Sequence, residues 1–169
     1  MKKLFTLLFL SISVFMFSQE NTFTKNFSEI KINALSTSLG TFEFEFERTI
    51  NSKSSFGISL FSTFEDTGKA FSYDYDSGAN VFYRRYFGKK YASGIFLEGF
   101  GMFHNTKILE INSEPEISNN LLFGLGIGYK WVSKKGLILQ TNFGMGQNVF
   151  NHKFDDVSGR AGISIGYRF

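Results

Sequence analysis

From about residue 29 to residue 169 apolar and polar residues alternate with a period of two, and the 3.6-residue period of helices is nearly absent. The clearest run is Thr41-Phe42-Glu43-Phe44-Glu45-Phe46-Glu47, with phenylalanines on one face and glutamates on the other. Eight such segments predict strands over 29–36, 41–50, 55–64, 77–87, 92–103, 119–131, 137–146 and 158–169. Several reach ten residues or more, longer than the five or six usual in soluble sheets. Across all eight, one parity carries large apolar residues such as Phe44, Ile58, Val81, Leu125, Phe143 and Ile165. The other parity carries Glu29, Lys31, Glu43, Glu45, Glu47, Arg84, Glu98, Lys130, Arg160 and Arg168, together with many glycines.

The connections sort in the same regular way. Asn51–Ser54, Gly88–Lys90 and Val132–Gly136 are short and carry lysines without acids. The segments 65–76, 104–118 and 147–157 are longer and rich in Asp and Glu. Short turns at one rim and long loops at the other predict an all-β fold: a closed, antiparallel, up-and-down, eight-stranded transmembrane β-barrel over residues 29–169. A soluble barrel with the apolar face inward is the competing arrangement. It would have to crowd many Phe side chains into an interior just wide enough for ordinary ones, while the small residues lay outside. The volumes favour the membrane orientation. The ten lumen charges are five acids and five bases, a balance that a narrow, water-poor interior requires. Arg48 and Arg85 fall on the apolar parity near the rim of short turns. They would either snorkel to headgroups or mark a bulge that changes parity.

Composition changes the picture mainly at the N-terminus. The chain has 169 residues with 23 Phe, 17 Gly, one Pro, one Trp and no Cys. The missing Cys excludes a disulfide scaffold, a thiolate metal site and a lipid-modified cysteine. Met1-Lys2-Lys3 followed by an apolar run to Phe17 reads as a signal peptide over 1–18, with a retained anchor helix as the alternative. Residues 19–28 would form a short periplasmic segment. Loss of Lys2 and Lys3 takes the 18 basic residues to 16 against 15 acidic. The apparent basicity belongs largely to the leader, and no nucleic-acid partner is expected.

The terminal stretch Ala161-Gly162-Ile163-Ser164-Ile165-Gly166-Tyr167-Arg168-Phe169 alternates to a final Phe. Through Ile163, Ile165, Tyr167 and Phe169 it resembles the signal by which outer-membrane proteins are recognised for barrel assembly. With the eight-strand pattern, the chain resembles the small outer-membrane β-barrel proteins of the class of outer-membrane proteins A, X and W. Lys31-Ile32-Asn33-Ala34-Leu35 and Ala79–Phe87 resemble small barrel families of unknown function. The resemblance implies an outer-membrane location, with outer-membrane lipids, lipopolysaccharide and the barrel assembly machinery as partners, and a monomer. The peptidoglycan-binding domain that some members add has no counterpart here.

Chemistry is sparse. Some small barrels modify lipid A, which would need a His with a Ser and a carboxylate near the outer rim. His104 and His152 lie near Ser113, Ser118, Glu110, Asp155, Asp156 and Ser158, but both read as solvent-exposed loop histidines. No metal-ligand spacing occurs, Asp74-Tyr75-Asp76 lacks the Gly and distal Glu of a calcium loop, and Gly124, Gly126 and Gly128 open no helix. No cofactor, metal site or enzymatic activity is expected. The Glu43/Glu45/Glu47 row could line a cation path. At eight strands a salt-bridged plug with Lys31, Arg84, Lys130, Arg160 and Arg168 is favoured. The expected role is structural, in envelope maintenance, or a surface interaction; passive transport of a small or hydrophobic solute is the alternative.

Overall fold

The structure is a computed structural model that describes residues 26–64, 76–108, 116–149 and 157–169. Eight strands occur among these residues: β1 (Ser28–Asn33), β2 (Thr41–Asn51), β3 (Ser54–Thr63), β4 (Ser77–Tyr86), β5 (Gly94–Ile108), β6 (Glu116–Val132), β7 (Leu137–Asn148) and β8 (Val157–Arg168). Each pairs antiparallel with its chain neighbours, and β1 pairs with β8 to close the barrel. The seam runs in register through Glu29↔Arg168, Lys31↔Gly166 and Ile32↔Ile165. Reciprocal backbone bonds of 2.9 Å between Ser28 and Phe169 finish it. This is the closed antiparallel eight-stranded fold that the alternation predicts. The expected leader and most of the segment 19–28 lie outside the described residues.

Most boundaries fall within one or two residues of the sequence reading, and three places call for comment. The first strand ends at Asn33 rather than running to 36, because Ala34–Ser38 forms a short helix, α1. Asn33 is its N-cap, accepting the Ser36 N–H on its side chain at 3.2 Å. Gly40, at φ +90°, turns the chain back into β2. The hairpin of β5 and β6 is longer than expected, with pairing carried out to Ile108↔Glu116. The sequence there, Thr106-Lys107-Ile108 and Glu116-Ile117-Ser118, is too mixed to extend the strand reading, while the backbone ladder continues. At its other end β5 starts at Gly94, not 92, because Tyr91 and Ala92 (φ +38°) form a turn, from which Gly94 (φ +95°) leads into the strand.

The two faces separate as the parity requires. Phe44, Phe56, Leu60, Val81, Leu125, Phe143, Ile165 and their strand-mates are exposed on the outer wall. Tyr83, Tyr129, Trp131 and Tyr167 are outward and gather toward the rim of short turns, where an aromatic girdle belongs in a membrane barrel. Arg48 and Arg85 also point outward. The register shift in β2 falls between Thr49 and Asn51, beyond Arg48, so no bulge turns Arg48 inward.

Candidate functional site

The lumen is where the polar half of the alternation converges. Glu29 and Lys31 come from β1, Glu43, Glu45 and Glu47 from β2, Arg84 from β4, Glu98 from β5, Lys130 from β6, and Arg160 and Arg168 from β8. All ten join one connected set of ion pairs. Glu47, fully buried, meets Lys31 in a short contact and lies 2.6 Å from both Arg84 Nη1 and Lys130 Nζ. Ser55 Oγ and Tyr86 Oη donate to Oε1, the oxygen that also meets Lys130, at 2.5 Å. Arg84 also reaches Glu45 at 2.7 Å and, through Nε, Glu98 at 2.6 Å. Lys31 holds Glu45 at 2.5 Å and Glu29 at 3.4 Å, and Lys130 holds Glu29 at 2.8 Å. Arg168 completes Glu29 at 2.5 Å, while Arg160 bridges Glu98 at 3.2 Å and Glu43 at 3.4 Å. Gln140 accepts from Lys31 and Arg84 at 3.0 and 3.1 Å.

Burying this many charges is tolerable only because each meets opposite charge and hydrogen bonds at once. The row of glutamates gathers the cations: Glu45 and Glu47 sit one pleat apart on the inner face of β2, close enough for the Arg84 guanidinium to touch both. Neither alternation nor charge balance shows which partner each charge takes. That choice depends on register, since Glu47 stands beside Gly57 of β3 and Arg84 beside Glu98 of β5.

Several lumen residues escape the sequence reading, which sends the large aromatics outward. Phe82, Tyr86, Phe96 and Phe100 point inward with Met102, Leu122 and Ile138. They fill the gaps left by the inner glycines. A Cβ added to Gly124 would lie 2.5 Å from Phe100 Cζ, and equivalent additions at Gly57 and Gly128 would collide with the rings of Phe82 and Phe96. The inner glycines therefore make room for rings as much as for the long charged side chains to which the sequence reading assigned them. Gly166, beside the Lys31 stem, keeps that role. The rings in turn sandwich the cations: the Arg84 guanidinium lies 3.9 Å from the Phe82 centroid and 4.9 Å from that of Phe96, and Lys130 Nζ lies 4.6 Å from Tyr86. Counting parity residue by residue from Arg84 would have revealed these aromatics, since Phe82 and Tyr86 share its face.

The rim of short turns is floored. Tyr91-Ala92-Ser93 packs across it, with Ala92 fully buried against Tyr86 and Phe96. Arg168 donates to the carbonyls of Tyr91 and Ala92 at 2.9 and 2.8 Å, and Ser93 Oγ donates to Lys130 O at 2.8 Å. Toward the other rim, Phe82, Phe100, Met102 and Leu122 form an apolar layer, with Phe61 against it. A cavity there is bounded by Ser36, Thr41, Glu43, Asn80 and Arg160. It leaves about 20 Å³ for the centres of water-sized spheres, roughly one water molecule.

His104 is not an exposed loop residue, as its neighbourhood in the sequence implies. It faces the lumen on β5, 2% exposed, with Nε2 3.4 Å from Asn148 Oδ1. His152, Ser113, Glu110, Asp155 and Asp156 lie outside the described residues. In the C-terminal stretch expected to act as the assembly signal, Ile163, Ile165, Tyr167 and Phe169 are all outward and exposed.

No protein-family model matches the sequence, and no curated protein matches it. Among solved structures, the chain is similar to the crystal structure of the N-terminal β-barrel domain of Pseudomonas aeruginosa OprF. The TM-score is 0.62 at 10% identity, over 85% of this chain and 97% of that one. At that identity the likeness speaks for the fold. The chain is thus a closed, up-and-down, eight-stranded antiparallel barrel, the fold of that domain.

Proposed function

We propose that the protein is an integral outer-membrane barrel with a plugged lumen, exported by the leader over 1–18 and serving a structural, envelope-maintaining or surface-interacting role. The observation that carries this is the single network of ten balanced lumen charges, floored by Tyr91-Ala92-Ser93 and capped by an apolar layer. An open pore would need a continuous wet path, and here the ion-pair network lies between the Tyr86–Ala92–Phe96 cluster and the Phe82–Phe100–Met102–Leu122 layer. The outward Phe, Ile and Leu side chains with the Tyr83, Tyr129, Trp131 and Tyr167 girdle support a bilayer around the wall. Outer-membrane lipids, lipopolysaccharide and the assembly machinery are its proposed partners, and it acts as a monomer.

Planar-bilayer recording of the refolded chain tests this reading. The expected result is no steady conductance. Steady open pores that Glu45→Ala abolishes would replace the plug by a cation path and favour transport.

A further inference from the structure

The outward band of large side chains is interrupted at one place. On β5 the outward positions run Ile95, Leu97, Gly99, Gly101 and Phe103, so two successive steps carry no side chain. Around them Phe46, Phe56, Val81, Tyr83 and Phe123 stand as the walls of an external groove of about 670 Å³. The floor is open at Gly99, where an added Cβ would meet only Leu125 Cδ2, at 4.0 Å.

Arg85 stands at the foot of this groove. It is the next outward residue after Tyr83 on β4 and pairs with Leu97, the next outward residue below Gly99. It is exposed, and its guanidinium has no hydrogen bond or ion pair among the described residues. The other outward arginine, Arg48, differs: its Nη1 donates to Ser28 Oγ at 2.6 Å. An unpartnered cation at the bottom of an apolar groove matches the layout of a phospholipid, with a phosphate at one end and a hydrocarbon chain at the other. From Arg85 to the level of Val81 and Gly101 is four residues, about 13 Å of strand. That is a groove of acyl-chain dimensions with a phosphate-binding fork at its mouth.

We propose that the groove and Arg85 bind one anionic phospholipid from the leaflet at the rim of short turns. Its acyl chain lies over Gly99 and Gly101 and its phosphate group accepts from Arg85. This rests on the reading of the chain as a membrane barrel. The chain gains dispersion contacts on both flanks that a convex wall does not offer. A second copy of the protein fits less well. Among the described strand side chains every carboxylate points into the lumen, so the described wall of a copy offers Arg85 no acid.

The test is native mass spectrometry of the full chain released from nanodiscs containing equal phosphatidylglycerol and phosphatidylcholine with identical chains. The wild type is expected to retain one lipid, with phosphatidylglycerol favoured about fivefold, the effect of one cation at a charged lipid surface. Arg85→Gln brings that ratio close to one, Gly99→Leu removes retention of both lipids, and Arg48→Gln changes neither. The proposal is overturned if Gly99→Leu keeps wild-type lipid, or if Arg48→Gln erodes the preference as much as Arg85→Gln. It is also overturned if Gly99→Leu converts a dimer into a monomer, which would mean that a second copy fills the groove. Should Gly99→Leu fail to fold, Arg85→Gln decides alone, because the Arg85 side chain is exposed and makes no hydrogen bond or ion pair among the described residues. A wild-type chain that neither enters nanodiscs nor changes gel mobility on heating would overturn the membrane reading itself. A chain that inserts but shows no preference overturns only the lipid site.

Discussion

Neutralising Glu47 isolates what the lumen network contributes. Glu47 is fully buried and touches three cations, Lys31, Arg84 and Lys130, besides the hydroxyls of Ser55 and Tyr86. Glu47→Gln keeps the volume and an oxygen for the two hydroxyls, so the perturbation is the loss of one charge. It leaves five bases against four acids in an enclosed space. Removing one partner of a buried ion pair costs about 3–5 kcal/mol, because the remaining charge stays desolvated without compensation. Glu43→Gln is the control. Glu43 is partly exposed, its ion pair with Arg160 is longer at 3.4 Å, and the expected cost is about 1 kcal/mol or less. The assay is reversible urea unfolding from lipid vesicles, followed by the fluorescence of Trp131, the only tryptophan of the chain. A second substitution sharpens it: Lys130→Met removes one of the excess cations, so the double variant should regain at least half of the stability lost by Glu47→Gln. Equal losses for Glu47→Gln and Glu43→Gln, or a double variant no better than the sum of its parts, would refute the coupled-network argument.

Two further predictions probe the wall. Leu125 is outward, 77% exposed and near mid-height, so Leu125→Arg should cost about 2–4 kcal/mol in vesicles, while Phe87→Arg at the rim of short turns should cost about 0–1; similar values for both, measured by the same urea titration, would argue against a surrounding bilayer. Inner and outer glycines should respond oppositely to a methyl group: Gly144→Ala brings Cβ to 2.9 Å from Phe100 Cε1 and should destabilise by about 1–3 kcal/mol, relieved by Phe100→Leu, whereas Gly99→Ala should be nearly silent.

Alternation is a local property, and the chain displays it openly. From Thr41 to Glu47 every second side chain is a glutamate, and in a pleated strand that alone sends the glutamates to one face. The same alternation puts Arg48 and Arg85 on the apolar parity, with a bulge as the alternative that the register of β2 then removed for Arg48, and the ten charges on the other. It failed where the pattern stops being informative. Ala34–Ser38 does not alternate, and a capping asparagine with a closing glycine turned it into α1. Thr106, Lys107 and Ser118 read as loop, yet their backbones extend the β5–β6 ladder. His104 looked like a loop residue because its neighbours are polar, although its parity is that of the lumen.

What the sequence by itself determined is the number of strands, the face that carries the ten charges and their neutrality, since all three follow from spacing along one chain. Only the tertiary structure decided which charges meet. Lys31 finds Gln140 across 109 residues and Arg168 finds Glu29 across 139, contacts that exist because the barrel closes with one register. Closure also decided that inward phenylalanines nest against glycines of neighbouring strands, that Tyr91-Ala92-Ser93 floors the lumen, and that Gly99 and Gly101 open a groove above Arg85. Spacing along the chain is silent on these features, because each depends on the height at which one strand is set against the next.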